Sequence, residues 1–365
     1  MDPSTSKLPP ELLSLVFNEL EGDKASLRSC VLTCKSWHDL CLAHVYRNLV
    51  VSNALTYLRL YRRLMIDAPH LCCHVRRIDM SGFGAPGTLD SFSLEWCDDD
   101  HIQSFLQAFP RLNALKCSSH LYNVVSHMLQ QSPITTLHID SSLSYDVKWF
   151  FHILRAGAAT LKNLKLEDVD FRVRLSPRAT PNDGKISMLA LEELTVVECC
   201  NLPFHITTVE MPNLKVLVCQ VYDCTDYLHI LRTSLMTLVI EPTIEEPLDQ
   251  NQIIVDNLCI LWFPQHEVGN VKATITSVCV PTRLAHLEVF LPSILLAHPF
   301  TTSSDDLEAF VLRLHLDGSL GRVTVTVEDP SQPDILDGVF KELNSLGILE
   351  IRVGKPPLLH PSALL

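Results

Sequence analysis

The chain has 365 residues, 29 Lys+Arg against 42 Asp+Glu for a formal net charge of −13, and 47% hydrophobic residues. That apolarity excludes a disordered chain, and the acidic balance opposes contact with a phosphate backbone, so no nucleic acid is expected as the main partner. The length points to about two domains. In chain order, Met1-Asp2-Pro3 is followed by Pro9 and Pro10, which leaves no signal-peptide core. No uninterrupted apolar run reaches the roughly 18 residues a spanning helix needs, so no membrane partner is expected. Pro9 and Pro10 suit a helix start, where a missing N–H matters little. Leu13, Val16, Phe17 and Leu20 then recur at helical spacing, and Leu12 and Leu15 widen the apolar stripe beyond one face. Glu21-Gly22-Asp23 ends this helix. A second helical pattern runs through Leu27, Cys30, Val31, Cys34, Trp37 and Cys41. Helices this short bury little alone. Either another protein covers the wide stripe or the rest of the chain does, and periodicity leaves both readings open.

These residues carry a resemblance. Leu8-Pro9-Pro10-Glu11-Leu12, then Val16-Phe17, Leu20, Leu27 and Val31-Leu32-Thr33-Cys34-Lys35-Ser36-Trp37, resemble the F-box motif. The match spans about an eighth of the chain, is looser after Trp37, and has a layout resembling F-box proteins abundant in fungi. It implies a three-helix module that docks the Skp-family adaptor of a Skp–cullin–F-box ubiquitin ligase, and through it a cullin. On that basis Leu8, Pro9, Leu12, Leu15, Val16, Leu27 and Val31 are expected to contact the adaptor. Cys34 and Trp37 close the small core, with Trp37 serving both roles.

Beyond the head, an apolar-x-x-apolar-x-apolar pattern recurs. It begins as Val75/Ile78/Met80, Leu112/Leu115/Cys117 and Ile134/Leu137/Ile139, and closes as Leu320/Val323/Val325 and Leu346/Leu349/Ile351. From Leu112 the intervals are 22, 27, 30, 23, 21, 20, 29, 36 and 26 residues, against roughly 20–29 for leucine-rich repeats. The last two apolar positions share one face of a short strand. Stacked copies would then bury a continuous core that no single copy could. Between strands, His101–Phe109 and Val147–Leu154 show helical spacing. The expected class is α/β: a three-helix F-box at 6–50, a helical connector at 51–74, and a degenerate leucine-rich-repeat solenoid of parallel strands and helices at 75–365. A generic α/β domain is the alternative. Residues 172–187, Glu241–Gln252 and Pro292–Ser304 read as loops, the last ending in a helix cap at Ser303–Asp306.

Chemical signatures are sparse. No phosphate loop, nucleophile elbow, H-E-x-x-H or C-x-x-C is present. Cys30, Cys34 and His38 share a helical stripe, but packing is the simpler reading. Asp98-Asp99-Asp100-His101 reads as a loop with helix-starting acids. No catalytic residue, metal or cofactor is expected. The 13 cysteines are odd in number and scattered, unlike a disulfide framework, which fits the cytoplasm or nucleus. An unidentified protein substrate is expected on the strand face opposite the buried leucines, at Asp79, Lys116, His138, Lys165, Thr195, Val218, Glu288 and Glu350. Trp262 is expected to contact it from a loop. The reading that results is the substrate-recognition subunit of a ubiquitin ligase. Its alternatives are a repeat scaffold with no ligase role and an enzyme with a scattered site.

Overall fold

Short apolar strands alternate with helices at intervals near one repeat, and that alternation builds a mixed α/β chain with a parallel strand order. The computed structural model describes residues 9–20, 23–82, 99–118, 121–140, 144–172, 185–197, 199, 209–220, 235–240, 255–261, 271–272, 274–276, 284–291, 301–327 and 340–354. They fall into two compact units, Met1–Ser141 and Ser142–Leu365.

The first unit begins with three helices, α1 (Pro10–Glu19), α2 (Lys24–Val31) and α3 (Lys35–Val45). The single pattern from Leu27 to Cys41 is thus broken into two helices. Asp23 caps α2 by accepting from Ala25 N at 3.1 Å and Ser26 N at 3.0 Å. Strand β1 (Asn48–Val50), α4 (Ala54–Tyr61), β2 (Arg77–Met80), α5 (Asp99–Gln107), β3 (Ala114–Cys117), α6 (Tyr122–Gln131) and β4 (Thr136–Asp140) follow. The four strands pair in parallel, in order. Leu49, Ile78, Leu115 and Leu137 form one buried row. The ladder therefore starts one rung before the repeat visible in the sequence. Below it, Tyr57 of α4 is fully buried, edge-to-face with Phe105 of α5 at 5.1 Å.

The second unit contains β5 (Ser144–Asp146), α7 (Val147–Gly157), β6 (Asn163–Glu167), β7 (Asp170–Arg172), β8 (Ile186–Ser187), β9 (Glu193–Val197), β10 (Val209–Glu210) and β11 (Val216–Gln220). It continues with β12 (Leu235–Ile240), β13 (Val255–Leu261), β14 (Leu284–Leu291), α8 (Thr301–Leu316), β15 (Leu320–Val327), α9 (Lys341–Ser345) and β16 (Leu349–Val353). Eight of these strands form a parallel ladder in the order β6-β9-β11-β12-β13-β14-β15-β16. Their register joins Leu164, Leu194, Leu217, Leu238, Leu258, Leu287, Val323 and Leu349 in one row. These are the second apolar positions of the sequence repeat. The expected loop at 172–187 lies mostly outside the described residues, as does Glu241–Gln252. Helix α8 starts at Thr301, so Ser303–Asp306 lies inside it rather than capping it.

One backbone device recurs at the strand entrances. The Arg47 carbonyl accepts from Arg76 N at 2.9 Å and Arg77 N at 3.0 Å. The Glu192 carbonyl accepts from Lys215 N at 2.8 Å and Val216 N at 3.0 Å, and the Lys215 carbonyl from Met236 N at 2.9 Å and Thr237 N at 3.0 Å. At these entrances the earlier strand holds the next by two amides on one oxygen.

A side chain caps the last helix. Buried Glu308 of α8 accepts from Glu342 N at 2.7 Å and Leu343 N at 3.0 Å at the start of α9, which satisfies amides that have no partner inside the helix. Glu308→Ala is expected to destabilise by about 1–3 kcal/mol. A lower urea midpoint with unchanged slope would register that loss, and Glu308→Gln, which keeps an acceptor, should lose less.

Candidate functional site

The three N-terminal helices divide their apolar residues between two faces. Leu13 and Phe17, four residues apart on α1, turn inward and form a core with Leu27 of α2 and Cys41 of α3. Leu20, Cys30, Val31, Trp37, Leu40 and Val45 pack against it. Trp37 meets Phe17 edge-on at 5.6 Å and 76°, a geometry favoured by the ring quadrupole. The other stripe of α1 is open: Leu12, Leu15 and Val16 are 47%, 60% and 48% exposed. Residues at i, i+3 and i+4 are neighbours on a helix, so these three form one apolar patch. Leu32, just past α2, is 85% exposed.

That division corrects one expected contact. Leu27 is fully buried, so it supports the helices and offers no surface. Pro9 is exposed, while Val31 and Trp37 are half-buried. Leu8 lies outside the described residues. Cys30 packs on the core and Cys34 is exposed ahead of α3. The helices are tied to the first strand, since Lys24 Nζ donates to the Asn48 carbonyl at 3.1 Å.

The strand face needs a larger correction. In the first unit Asp79 and Lys116 are half-buried, and Lys116 pairs with Asp140 at 2.9 Å. His138 is buried at 3% exposure. In the second unit Lys165 is half-buried and pairs with Glu167 at 2.9 Å. Its row then turns inward: Thr195, Val218, Val239, Cys259, Glu288 and Thr324 are all buried. Val218, Val239, Cys259 and Phe290 form an apolar cluster of their own, joined by Val216. His138, Thr195, Val218 and Glu288 are therefore not the solvent-facing contacts expected. The physical reason is that the central strands are apolar on both faces, the usual state of a parallel sheet. Glu288 is satisfied from within, accepting from Thr326 Oγ1 at 2.6 Å. Its carboxylate and burial together push the neighbouring Cys259 thiol up, burial being the larger cause. Only at Glu350, bonded to Arg322 and to Arg352 Nε at 2.9 Å, does the row open again.

The accessible column sits two residues earlier, at the strand entrances. Glu193, Thr237, Asn257 and His286 are half-buried there and Arg322 is exposed. His286 Nε2 meets Thr324 Oγ1 at 2.8 Å, and burial holds its imidazole below the usual value. Burial likewise raises the Glu193 carboxyl. A polar residue just before the second apolar position of most repeats, as at Glu193, Thr237, Asn257, His286 and Arg322, was the available signal. Trp262 and most of the loops named above lie outside the described residues. Among the described residues, no helix is long and apolar enough to cross a membrane.

Comparison with known proteins bears on the first helices. The family model described as F-box-like matches residues 5–52. No curated protein matches the chain. Among solved structures, a chain in the crystal structure of the yeast Rad7 and Elc1 complex aligns at 12% identity and a TM-score of 0.32, over 96% of this chain and 92% of that one. A motif read in Leu8–Trp37, three helices holding a shared core and a family match over the same residues agree. The chain carries an F-box-like domain at residues 5–52, followed by parallel strands in a leucine-rich-repeat-like order.

Proposed function

We propose that the chain is the substrate-recognition subunit of a Skp–cullin–F-box ubiquitin ligase. The observation that carries this reading is the exposed apolar patch of Leu12, Leu15 and Val16 inside the F-box-like match. With Pro9, Val31 and Trp37 at its margins, the patch takes a Skp-family adaptor, which in turn brings a cullin. The strands of each unit offer contacts for the target protein: Asp79 and Lys116 in the first, and Lys165, Glu350 and the strand-entrance column in the second. The chain does no bond chemistry. It raises the effective concentration of a target beside the ligase. Such a subunit works in the cytoplasm or nucleus, and the free thiols of the described cysteines accord with a reducing compartment.

Co-expression of the full chain with a Skp-family adaptor tests the reading. A stable, co-eluting complex is expected, and it should be lost when residues 1–50 are removed. Failure of the intact pair to associate would leave the alternative, a repeat scaffold without a ligase role.

A further inference from the structure

The long ladder of the second unit ends on β16, and its last strand carries core residues where a solenoid normally carries a polar cap. On β15, Val323, Val325 and Val327 are buried. Their register partners on β16 are Leu349, Ile351 and Val353. The first two are only half-buried and Val353 is 49% exposed. The backbone is open as well. Among the described residues, β16 pairs with β15 alone. Val323 N donates to the Ile348 carbonyl at 3.0 Å and Gly354 N to the Val327 carbonyl at 2.8 Å, so the even-numbered residues face β15. The amide and carbonyl of one strand residue point the same way and alternate along the strand. Leu349, Ile351 and Val353 therefore aim theirs outward, and such an edge templates a further strand.

The charges select that strand. Glu350 and Arg352 sit between those residues on the other face, in a two-bond pair at 2.9 and 3.1 Å. An edge of one sign repels its own copy, whereas this one carries both signs. In an antiparallel pairing centred on Ile351, Glu350 lies opposite Arg352 of the second copy, and Arg352 opposite its Glu350. Leu349 lies opposite Val353, and each pair with outward groups exchanges both N–H···O bonds. Moving the centre to Glu350 or Arg352 sets like charges directly opposite, which is destabilising. Only the register centred on Ile351 pairs the whole strand.

We propose that β16 docks a second copy of this chain, edge to edge and antiparallel, through Leu349–Val353 about a two-fold axis at Ile351. The contact is the same patch on both copies, so it closes at two. It is small for a protein interface, below about 1,200 Å² in total, so the dimer is reversible. It uses none of the residues assigned to adaptor docking and stands or falls separately from that reading. It does turn Glu350 towards the second copy, so dimer formation and target contact at that residue compete.

Sedimentation velocity of the full-length chain, alone and over a range of concentrations, tests the proposal. A monomer–dimer equilibrium is expected, with a Kd on the order of 1–100 μM for so small a contact. Glu350→Lys and Arg352→Glu should each weaken it at least about tenfold, because each sets like charges opposite one another across the axis. An equimolar mixture of the two variants should dimerise as the wild type does, since a positive strand then meets a negative one. A Glu350–Arg352 pair that serves only its own chain predicts no such rescue. Removing residues 355–365 should leave the equilibrium in place. A wild-type chain that stays monomeric overturns the proposal, as does undiminished dimerisation of either variant or a mixture that does not recover. Dimerisation that appears only after residues 355–365 are removed assigns the edge to the chain's own segment and likewise overturns it.

Discussion

Leu15→Asp with Val16→Asp is expected to abolish practical capture of a Skp-family adaptor while leaving the fold intact. Fully burying an apolar side chain of this size is worth about 1.5–3 kcal/mol. Losing two such anchors corresponds to a fall in affinity of roughly two to four orders of magnitude. Both side chains are about half exposed or more in the chain alone, at 60% and 48%. Exposed substitutions typically change stability by only about 0.5 kcal/mol, so the melting temperature should barely move. Leu13→Ala is the informative contrast. Leu13 faces the helix core at 6% exposure, so its loss should lower stability and binding together. Calorimetry and a thermal melt on the same preparations separate the two effects. Undiminished capture by the double aspartate variant would remove this patch from the interface.

The second large effect concerns the strand face. Val239→Asp is expected to destabilise the second unit by about 4 kcal/mol or more, because an unpaired carboxylate would be placed in an apolar layer. Val239 is 1% exposed and packs with Val218, Cys259 and Phe290. For a unit of this size, that amounts to a fall in melting temperature of roughly 8–16 °C. Thr237→Asp lies on the same strand and the same face, two residues earlier, but is half-buried at the entrance. It should be tolerated with only a small change. If the two variants melt alike, the second apolar layer does not exist and the face is an open one.

The contrast between those two positions shows what the sequence carried. The strand rows were legible because the second and third apolar positions of each copy recur and pair in register, from Ile78 through Ile351. The three helices were legible because Leu13 and Phe17 lie one turn apart on α1. Strand β1 carries the pattern as Tyr46/Leu49/Val51, but with a tyrosine at its first position and inside the looser end of the F-box resemblance, so it was not counted as a copy. The partner face was misplaced for a different reason. It rested on alternation, in which every second residue faces water. Yet Val216-Leu217-Val218-Cys219, Leu258-Cys259-Ile260-Leu261 and Leu287-Glu288-Val289-Phe290-Leu291 are continuous apolar or nearly apolar runs. Such runs mark strands buried on both sides. Leu27 was misassigned because helical spacing gives a stripe but not which part of a wide stripe is covered.

The repeated entrance contact has a consequence for how the chain is made. In each of these two-amide contacts the bonded strands are about one repeat apart, and the acceptor oxygen belongs to the earlier one. At these entrances a rung emerging from the ribosome meets an acceptor that has already been made. Contacts of such short sequence separation form quickly, and domains synthesised from the N-terminus fold in that order. Strand β1 thereby supplies the edge on which β2 is laid down, and β2 the edge for β3.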